Sequence, residues 1–187
     1  MDAKAPLARC GECPLRDRPL VRGFGALSAD QVIVGEAPGC TEAVEGKPFV
    51  GKAGRRLDEG LSAEGVDRSS VYITNAVLCH PPGNESPPPR EAIRACHDRL
   101  ISEIRGVLCC EGQRRTQAKV LALGKTAAKA LTGNSRPIKE LRLLRPAPNL
   151  HLGGCAEVRV TYHPSKLNIN PAWSESFDED MGWFADH

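Results

Sequence analysis

The sequence predicts an α/β fold with a central, mostly parallel four-stranded sheet that helices cover on both faces. Short apolar runs alternate with helical patterns along the 187 residues, which is typical of parallel strands joined by helices. The first run, at 31–36, is apolar at its centre rather than alternating, as in a strand buried on both faces. We expect a single domain over 1–187, with an N-terminal arm over about 1–28.

The elements follow one another in a regular order. The arm contains Pro, Gly and charged residues without a clear period. Apolar and β-branched runs predict strands at 31–36, 70–78, 119–124 and 156–164. Apolar spacing predicts helices at 54–65, 90–108 and 126–133, and a last helix from Pro171. The five prolines of 79–89 exclude a helix or a central strand there, because proline fixes φ and lacks a backbone donor.

Composition excludes several classes of protein. The chain is 41% hydrophobic, which excludes a disordered chain. No run approaches the roughly 20 apolar residues of a membrane-spanning helix. Because the N-terminal residues lack the apolar core of a secretory signal, we expect a cytoplasmic protein with no membrane association. The net charge of +2 neither requires nor opposes nucleic-acid binding.

Eight cysteines in a cytoplasmic chain do not indicate a disulfide framework. The informative pair is Cys10 and Cys13, whose C-x-x-C spacing is typical of metal-binding thiolates and requires two further ligands from elsewhere. This spacing fits a four-cysteine zinc site as well as an iron–sulfur site.

The residues that are unusual for a sheet stand at the predicted carboxyl ends of its strands. GEAPG at 35–39 ends the first strand, Asn75 lies near the end of the second, and His163 ends the fourth. Ligands of open α/β sheets bind in the crevice outside the carboxyl ends of the strands. The sequence therefore predicts a site where these three strand tips converge.

Seven stretches, in the same order and over most of the chain, resemble the family 4 (iron–sulfur) uracil-DNA glycosylases. They are CGECPL (10–15), GEAPG (35–39), EGKPFVGKAG (45–54), TNAVLCHPPGN (74–84), Cys96 in the next helix, VLALGKTAAKALTG (120–133) and TYHPS (161–165). The resemblance implies a three-layer α/β/α sandwich and a [4Fe–4S] cluster. It also implies a repair enzyme that flips uracil out of DNA and hydrolyses its N-glycosidic bond, leaving an abasic site.

Three residues make chemical sense in such a reaction. The leaving uracil anion carries charge on O2, so the enzyme needs a flat surface for the flipped base, a group that recognises its edge and a donor at O2. By the resemblance, Phe49 stacks on uracil. Asn75 suits recognition of the edge, because its amide both donates and accepts. His163 suits stabilisation of O2 through a neutral imidazole N–H.

The loop after the first strand is expected to bring its backbone against the flipped nucleotide, which glycine allows. The substrate-binding residues predicted in this loop are Gly35, Ala37, Pro38, Gly39 and Cys40. Ala37 stands where the classical uracil glycosylases carry an aspartate that positions water. We therefore expect backbone carbonyls, Glu36, Glu42 or Asn84 to hold the water. By the resemblance, Glu42 also lies near C5 of the base.

The resemblance implies that the cluster ligands are Cys10, Cys13, Cys79 and Cys96. Four thiolates from such distant points would tie the arm and the Pro-rich loop to the core. We expect a structural rather than a redox role, because hydrolysis moves no electrons. The other cysteines away from the GEAPG loop, Cys109, Cys110 and Cys155, are predicted to be buried free thiols.

The stretch 165–171 is expected to contact DNA. Ser165 and Leu167 are predicted to touch the substrate, with Leu167 as a wedge in the base stack. The family pattern S/A-x-L-L-R-N-P is altered here, because Asn168 replaces its second Leu and Ile169 replaces its Arg. The cations expected near DNA phosphates are Lys47, Lys52, Arg55, Arg56 and Lys166.

We expect a monomer whose partner is uracil-containing DNA, either single- or double-stranded. Two alternatives remain open: a glycosylase of the same fold that acts on a different damaged or modified base, and a catalytically inactive iron–sulfur protein that binds DNA. The presence of Phe49, Asn75 and His163 together favours an enzyme, because an inactive fold does not require all three.

Overall fold

The computed structural model describes residues 4–108, 118–144, 152 and 156–186. Within these residues the central sheet has five strands in the order β1-β3-β2-β4-β5. They are β1 (Phe24–Gly25), β2 (Gln31–Gly35), β3 (Tyr72–Asn75), β4 (Lys119–Leu123) and β5 (Glu157–Thr161). The last four are parallel to one another, and β1 pairs antiparallel with β3.

The predicted fold class is confirmed, and the number of strands differs by one. The four predicted strands form the parallel part of the sheet, and β1 was missed because it lies in the arm. Phe24 pairs with Ile73, and Gly25 pairs with Tyr72. A strand of two residues is too short for any alternation of polar and apolar side chains to be visible in the sequence.

The described residues contain six α-helices. They are α1 (Cys40–Glu45), α2 (Lys52–Ala63), α3 (Arg90–Leu108), α4 (Gly124–Thr132), α5 (Ile138–Leu143) and α6 (Pro171–Ala185). The sequence predicted four of these, and it missed α1 and α5, each of which has six residues. Fewer than two helical turns do not establish a period of 3.6. No helix in the described part of the chain is long and apolar enough to cross a membrane.

The two faces of the sheet belong to separate cores. On one face, Val32 and Val34 pack with Leu100 and Ile104 of α3, and the same core includes residues of α4 and α5. On the other face, Ile33 lies in a core with Leu57 of α2 and Phe177 and Phe184 of α6. Neighbouring residues of β2 thus alternate between the two cores, as the pleat of a strand requires.

Candidate active site

A cavity of about 930 Å³ opens at the carboxyl ends of the parallel strands. Its lining includes the residues after β2, the last residue of β3, the last residue of β4 and the residues that follow β5. From these elements come Glu36, Ala37, Pro38, Gly39, Asn75, Leu123 and His163. The three strand tips that the sequence analysis expected to converge therefore lie around one cavity.

Gly35 allows two side chains to meet at the tip of β2. A Cβ atom at this position would lie 2.3 Å from Oδ1 of Asn75 and 2.5 Å from Cζ of Phe49. Atoms do not approach so closely, so no residue with a side chain fits there. In this structure Gly35 thus makes room for Asn75 and Phe49, whereas the sequence analysis expected it to make room for a nucleotide.

Asn75 carries the unsatisfied polar atom of the cavity wall. Its side chain is 2% exposed, and its Oδ1 has no hydrogen-bond partner among the described residues. A buried acceptor without a partner costs about 1–3 kcal/mol, which a ligand that donates to Oδ1 would remove. Arg99 fixes the strand end from behind by donating to the carbonyl oxygens of Asn75 at 2.8 Å and Ala76 at 3.0 Å.

Phe49 forms part of the cavity wall and is held in an uncommon backbone conformation. Its φ is +54°, and Arg68 donates to its carbonyl oxygen at 3.0 Å and to that of Pro48 at 2.9 Å. Gly54 leaves space for this turn, because a Cβ there would lie 1.9 Å from the Phe49 oxygen. The Phe49 ring centroid lies 5.9 Å from that of His163, so both rings border the same space.

The hydrogen bonds of His163 fix the position of its proton. The backbone N–H of Ser165 donates to Nδ1 of His163 at 3.3 Å, and the Ser165 hydroxyl lies 2.9 Å from the same atom. Because a backbone N–H only donates, Nδ1 acts as an acceptor and the neutral ring carries its proton on Nε2. Burial lowers the pKa of His163, which favours this neutral form at pH 7.

The carboxylate of Glu42 accepts hydrogen bonds from backbone on both sides of α1. One carboxylate oxygen accepts from the backbone N–H groups of Val50 at 3.0 Å and Gly51 at 2.8 Å, and the other accepts from Gly39 at 3.1 Å. Three backbone donors therefore occupy a side chain that is only 9% exposed. These contacts make Glu42 a link between α1 and the Phe49 loop, and its role in holding water stays a prediction.

Glu36 is fixed by a residue that the sequence analysis did not single out. The hydroxyl of Thr126, in the first turn of α4, donates to Oε2 of Glu36. Both Glu36 and the neighbouring Ala37 line the cavity, whereas Thr126 is 6% exposed. The carboxylate therefore has one oxygen tied to α4 and stands beside a small apolar residue.

Asn84 and Cys40 join the Pro-rich loop to α1 at the cavity mouth. Oδ1 of Asn84 accepts from the backbone N–H of Cys40 at 3.1 Å. The exposed Cys40 lines the cavity, and its Sγ lies 3.6 Å from Nε2 of His80. Nδ1 of His80 lies 2.9 Å from the carbonyl oxygen of Pro38. These contacts hold the 79–89 loop against the residues that follow β2.

The wedge role predicted for Leu167 is wrong for this structure. Leu167 is 3% exposed and belongs to the core that contains Phe177 of α6, so it cannot enter a base stack without leaving that core. The exposed apolar side chain of the same 3-10 helix, Pro164–Ile169, is Ile169, at 66%. Ser165 and Lys166 of this helix line the cavity.

The predicted phosphate-binding cations occupy different positions. Lys52 lines the cavity, whereas Lys47 lies over the ring of Phe24, with Nζ 5.1 Å from the ring centroid. Arg56 forms an ion pair with Asp178 of α6 at 2.5 Å. Its cation is therefore directed to a neighbouring helix, and Lys52 is the better candidate for a phosphate contact.

The sequence is similar to those of known DNA glycosylases. A model of the uracil DNA glycosylase superfamily matches residues 22–183. The type-4 uracil-DNA glycosylase of Pyrobaculum aerophilum is 38% identical over 185 residues, which cover 95% of this chain and 89% of that protein. The chain belongs to the type-4 family of this superfamily.

Further relatives are named uracil-DNA glycosylases of type 4 or of type 5. The type-4 enzyme of Archaeoglobus fulgidus is 31% identical over 188 residues, covering 96% of this chain and 88% of that protein. A type-5 uracil-DNA glycosylase of Thermus thermophilus is 30% identical over 170 residues, covering 83% of this chain and 73% of that protein. The resemblance stated from the sequence motifs is thus confirmed at the level of the family.

The four cysteines expected to bind the type-4 cluster lie where the arm meets the sheet and α3. Cys13, Cys79 and Cys96 are buried and Cys10 is half-buried. The backbone N–H of Lys4 lies 3.3 Å from Sγ of Cys10. Burial, with a smaller contribution from Cys96, Cys13 and Cys10, raises the pKa of Cys79 to about 11.

No group of three or more Cys, His, Asp or Glu side chains within the described ranges is arranged to hold a metal ion. The cluster itself therefore stays a proposal. The predictions for Cys109, Cys110 and Cys155 concern residues outside the described part of the chain.

Sequence patterns missed three supporting residues of the site: Arg68, Arg99 and Thr126. Arg99 carried a weak signal, since it is a charged residue among the apolar positions of the predicted helix at 90–108. Thr126 and Arg68 carried none, because a threonine in a helix and an arginine before a strand are ordinary. Their roles depend on contacts across 90 and 19 residues of sequence.

Proposed function

We propose that this protein removes uracil from DNA by hydrolysing the N-glycosidic bond and leaves an abasic site. The observation that carries the proposal is the arrangement of Asn75, Phe49 and His163 around one cavity, where Oδ1 of Asn75 has no hydrogen-bond partner among the residues that the structure describes. The relatives named type-4 uracil-DNA glycosylases support it, since they match almost the whole chain.

Base recognition would use Phe49 and Asn75. A uracil flipped out of the stack would lie against the ring of Phe49, which replaces part of the stacking that the base loses. The Asn75 amide would accept from N3–H of uracil through Oδ1 and donate to O4 through its nitrogen. Cytosine has no hydrogen on N3, so it would leave Oδ1 unpaired and would be rejected on that ground.

Bond cleavage would use His163. As the bond stretches, negative charge develops on O2 of the leaving base. The neutral imidazole would donate its Nε2–H to O2, while Nδ1 stays occupied by Ser165. Because burial lowers the pKa of His163, the imidazole is neutral when the base binds. Its hydrogen bond to O2 strengthens as negative charge develops on that atom.

Glu36 would hold the attacking water. One carboxylate oxygen is tied to Thr126, which leaves the other free to accept from a water at the face of the sugar opposite the base. The same carboxylate would stabilise the positive charge that develops on the sugar. Oδ1 of Asn84 already accepts from the backbone N–H of Cys40. Asn84 would therefore help to hold the water by donating from its amide N–H groups.

We also propose that Cys10, Cys13, Cys79 and Cys96 hold a [4Fe–4S] cluster. The donor set fits, because three of the four thiols are buried and the backbone N–H of Lys4 donates to the sulfur of Cys10, as amides do in such sites. When bound, the cluster would link the arm to β3 and α3. Analysis of iron, sulfide and zinc in the purified protein separates this proposal from a zinc site.

The proposed reaction is tested with oligonucleotides that carry one modified base. Uracil in single-stranded DNA, opposite guanine and opposite adenine is compared with a panel of other damaged bases, and alkali reveals abasic sites. The proposal predicts cleavage at uracil that His163→Ala reduces strongly. Cleavage only at another base would favour the alternative substrate, and no cleavage at any base by protein with its cluster intact would favour the inactive DNA-binding protein.

A further inference from the structure

A second cavity lies outside the proposed active site, between the first half of α3 and the end of α4. It has a volume of about 560 Å³. Its lining comes from the arm and from both helices and includes Arg9, Arg90, Ile93, Arg94, Lys129 and Ala130. We call it the α3–α4 groove. None of its residues takes part in the proposed chemistry.

The α3–α4 groove is cationic. Arg9, Arg90, Arg94 and Lys129 contribute four positive charges, and Arg94 pairs with the exposed Glu91 at 3.3 Å. The remaining titratable residue of the lining, His97, lies 3.2 Å from Asp98. Arg90 and Lys129 are exposed and form no ion pair within the described residues. Cations without a partner acid attract phosphates, whereas paired ones are already compensated.

The α3–α4 groove also contains apolar surface and a cation with a fixed position. Ile93 and Ala130 supply apolar surface between the cations, which suits the sugars of a nucleic-acid backbone. The guanidinium of Arg9 is fixed by a bond from Nη2 to the carbonyl oxygen of Arg94 at 2.9 Å. One cation on this wall is thus held in place before any ligand binds.

Two short chain segments join the α3–α4 groove to the active-site cavity. Ser86 lines the cavity and Arg90 the groove, while Pro137 lines the cavity and Gly133 the groove. Four residues span at most about 14 Å. A DNA strand advances about 3.4 Å per nucleotide along a duplex, so the groove lies within about four nucleotides of a base in the cavity.

We propose that the α3–α4 groove binds the phosphate backbone of the substrate DNA a few nucleotides from the target base. This inference rests on the proposed function and adds a second contact to it. The groove recognises no base, so it would increase affinity for any sequence equally. Its contribution would be electrostatic, and it would therefore weaken as salt is added.

The first test uses the double variant Arg90→Gln and Lys129→Gln. Arg105→Gln is the control, because it removes one positive charge from an exposed site on α3, 15 residues or about 22 Å along the helix from Arg90. Binding of a uracil-free single strand is measured by fluorescence anisotropy between 50 and 200 mM salt. Each lost phosphate contact lowers the slope of log affinity against log salt by about 0.7.

The expected results for the two proteins differ clearly. The double variant should have a slope smaller by about 1.4, whereas Arg105→Gln should match the wild type. Equal slopes for the wild type and the double variant would overturn the proposal. That result would also be the one expected if the groove bound an acidic protein instead of DNA.

The second test separates this proposal from the proposed function. Uracil excision is followed on strands with two or with eight nucleotides on each side of the uracil. The wild type should have a lower KM on the long strand, and the double variant should lose that advantage while cleaving the short strand at the wild-type rate. A retained advantage would contradict the groove proposal. No excision by any protein would contradict the proposed function, although the salt dependence of binding would still report on the groove.

Discussion

Two polar side chains of the cavity wall, Glu42 and Asn75, differ in how many hydrogen bonds they accept from the protein. Glu42 accepts from three backbone N–H groups, whereas Oδ1 of Asn75 accepts from none in the described residues. A satisfied carboxylate stabilises the fold around it, and an unsatisfied amide favours a ligand. This difference is why we assign Glu42 to the loop and Asn75 to base recognition.

The Thr126 hydroxyl is predicted to position Glu36 for catalysis. Thr126→Val removes the donor at nearly constant volume and should lower kcat by about tenfold or more, because small displacements of a reacting group are costly. Thr126→Ser keeps the hydroxyl and should retain most of the activity. Single-turnover excision rates measure the effect. Equal losses in both variants would indicate that the methyl group matters through packing and would contradict the positioning role.

The lowered pKa of His163 predicts a dependence of stability on pH. The ordinary pKa is 6.5, and burial lowers it in the folded protein. Below pH 6.5 the unfolded chain therefore binds a proton that the folded chain resists, so stability falls as the pH drops from 6.5 to the folded pKa. Urea midpoints at pH 7.5 and 5.5 should differ more for the wild type than for His163→Gln. An equal difference would contradict the assignment.

At the scale of elements, α6 is tied to the sheet and to α5 through a buried carboxylate. Asp180 is fully buried, lies 2.6 Å from Nε of Arg142 at the end of α5, and lies 3.6 Å from Nη1 of Arg159 in β5. Because α6 also borders the cavity through Trp173, this pairing helps to fix one wall of the site.

Asp180→Ala should destabilise the protein by about 3–5 kcal/mol, because it leaves two largely buried arginines without their shared partner. Asp178→Ala is the control on the same helix. It removes an ion pair with Arg56 in which the carboxylate is 52% exposed, and it should cost less than about 1 kcal/mol. Urea unfolding measures both. Similar losses in the two variants would contradict the importance given to burial.

At the scale of the whole molecule, the N-terminal arm is attached along its length to the residues that follow β3 and to α3. Backbone N–H groups of Arg9, Val21 and His80 donate to Ala95, Leu78 and Pro19 at 2.9, 2.9 and 3.0 Å. Residues bonded in this way stand next in sequence to Cys10, Cys79 and Cys96. The proposed cluster would therefore complete an attachment that the backbone has begun.

Cys13→Ala should lower iron content and thermal stability before it changes chemistry. The reason is that Cys13 lies in the arm, at a distance from the cavity-lining residues along the chain. Iron per protein, the unfolding temperature and the excision rate per iron-loaded molecule are measured together. A normal iron content with a reduced excision rate would contradict the structural role of the cluster.

Much of the parallel sheet and of the site could be predicted from sequence, because buried strands and strand-end motifs are local signals. GEAPG, Asn75 and His163 each stand beside an apolar run, so their convergence follows from the geometry of parallel sheets. The motifs also carried the family resemblance. The prediction succeeded where a residue's position was determined by its own strand.

The remaining features depend on contacts between distant segments. Leu167 looked available as a wedge because its burial under α6 is invisible in the sequence. The link that Glu42 makes between α1 and the Phe49 loop was not predicted, because its three donors come from backbone that folds around it. Thr126 became relevant only when α4 met the tip of β2. Local sequence patterns carry no information about these contacts between distant segments.

The central claim is that three strand tips form a site that excises uracil, and single-turnover excision by His163→Ala and Asn75→Ala tests it most directly. The measurement uses one single-stranded uracil oligonucleotide at saturating protein, with DNA affinity determined in parallel. We expect each variant to lose roughly 10²-fold or more in rate, the scale for removing one transition-state donor, with affinity for uracil-free DNA unchanged. Wild-type rates in both variants would contradict the account.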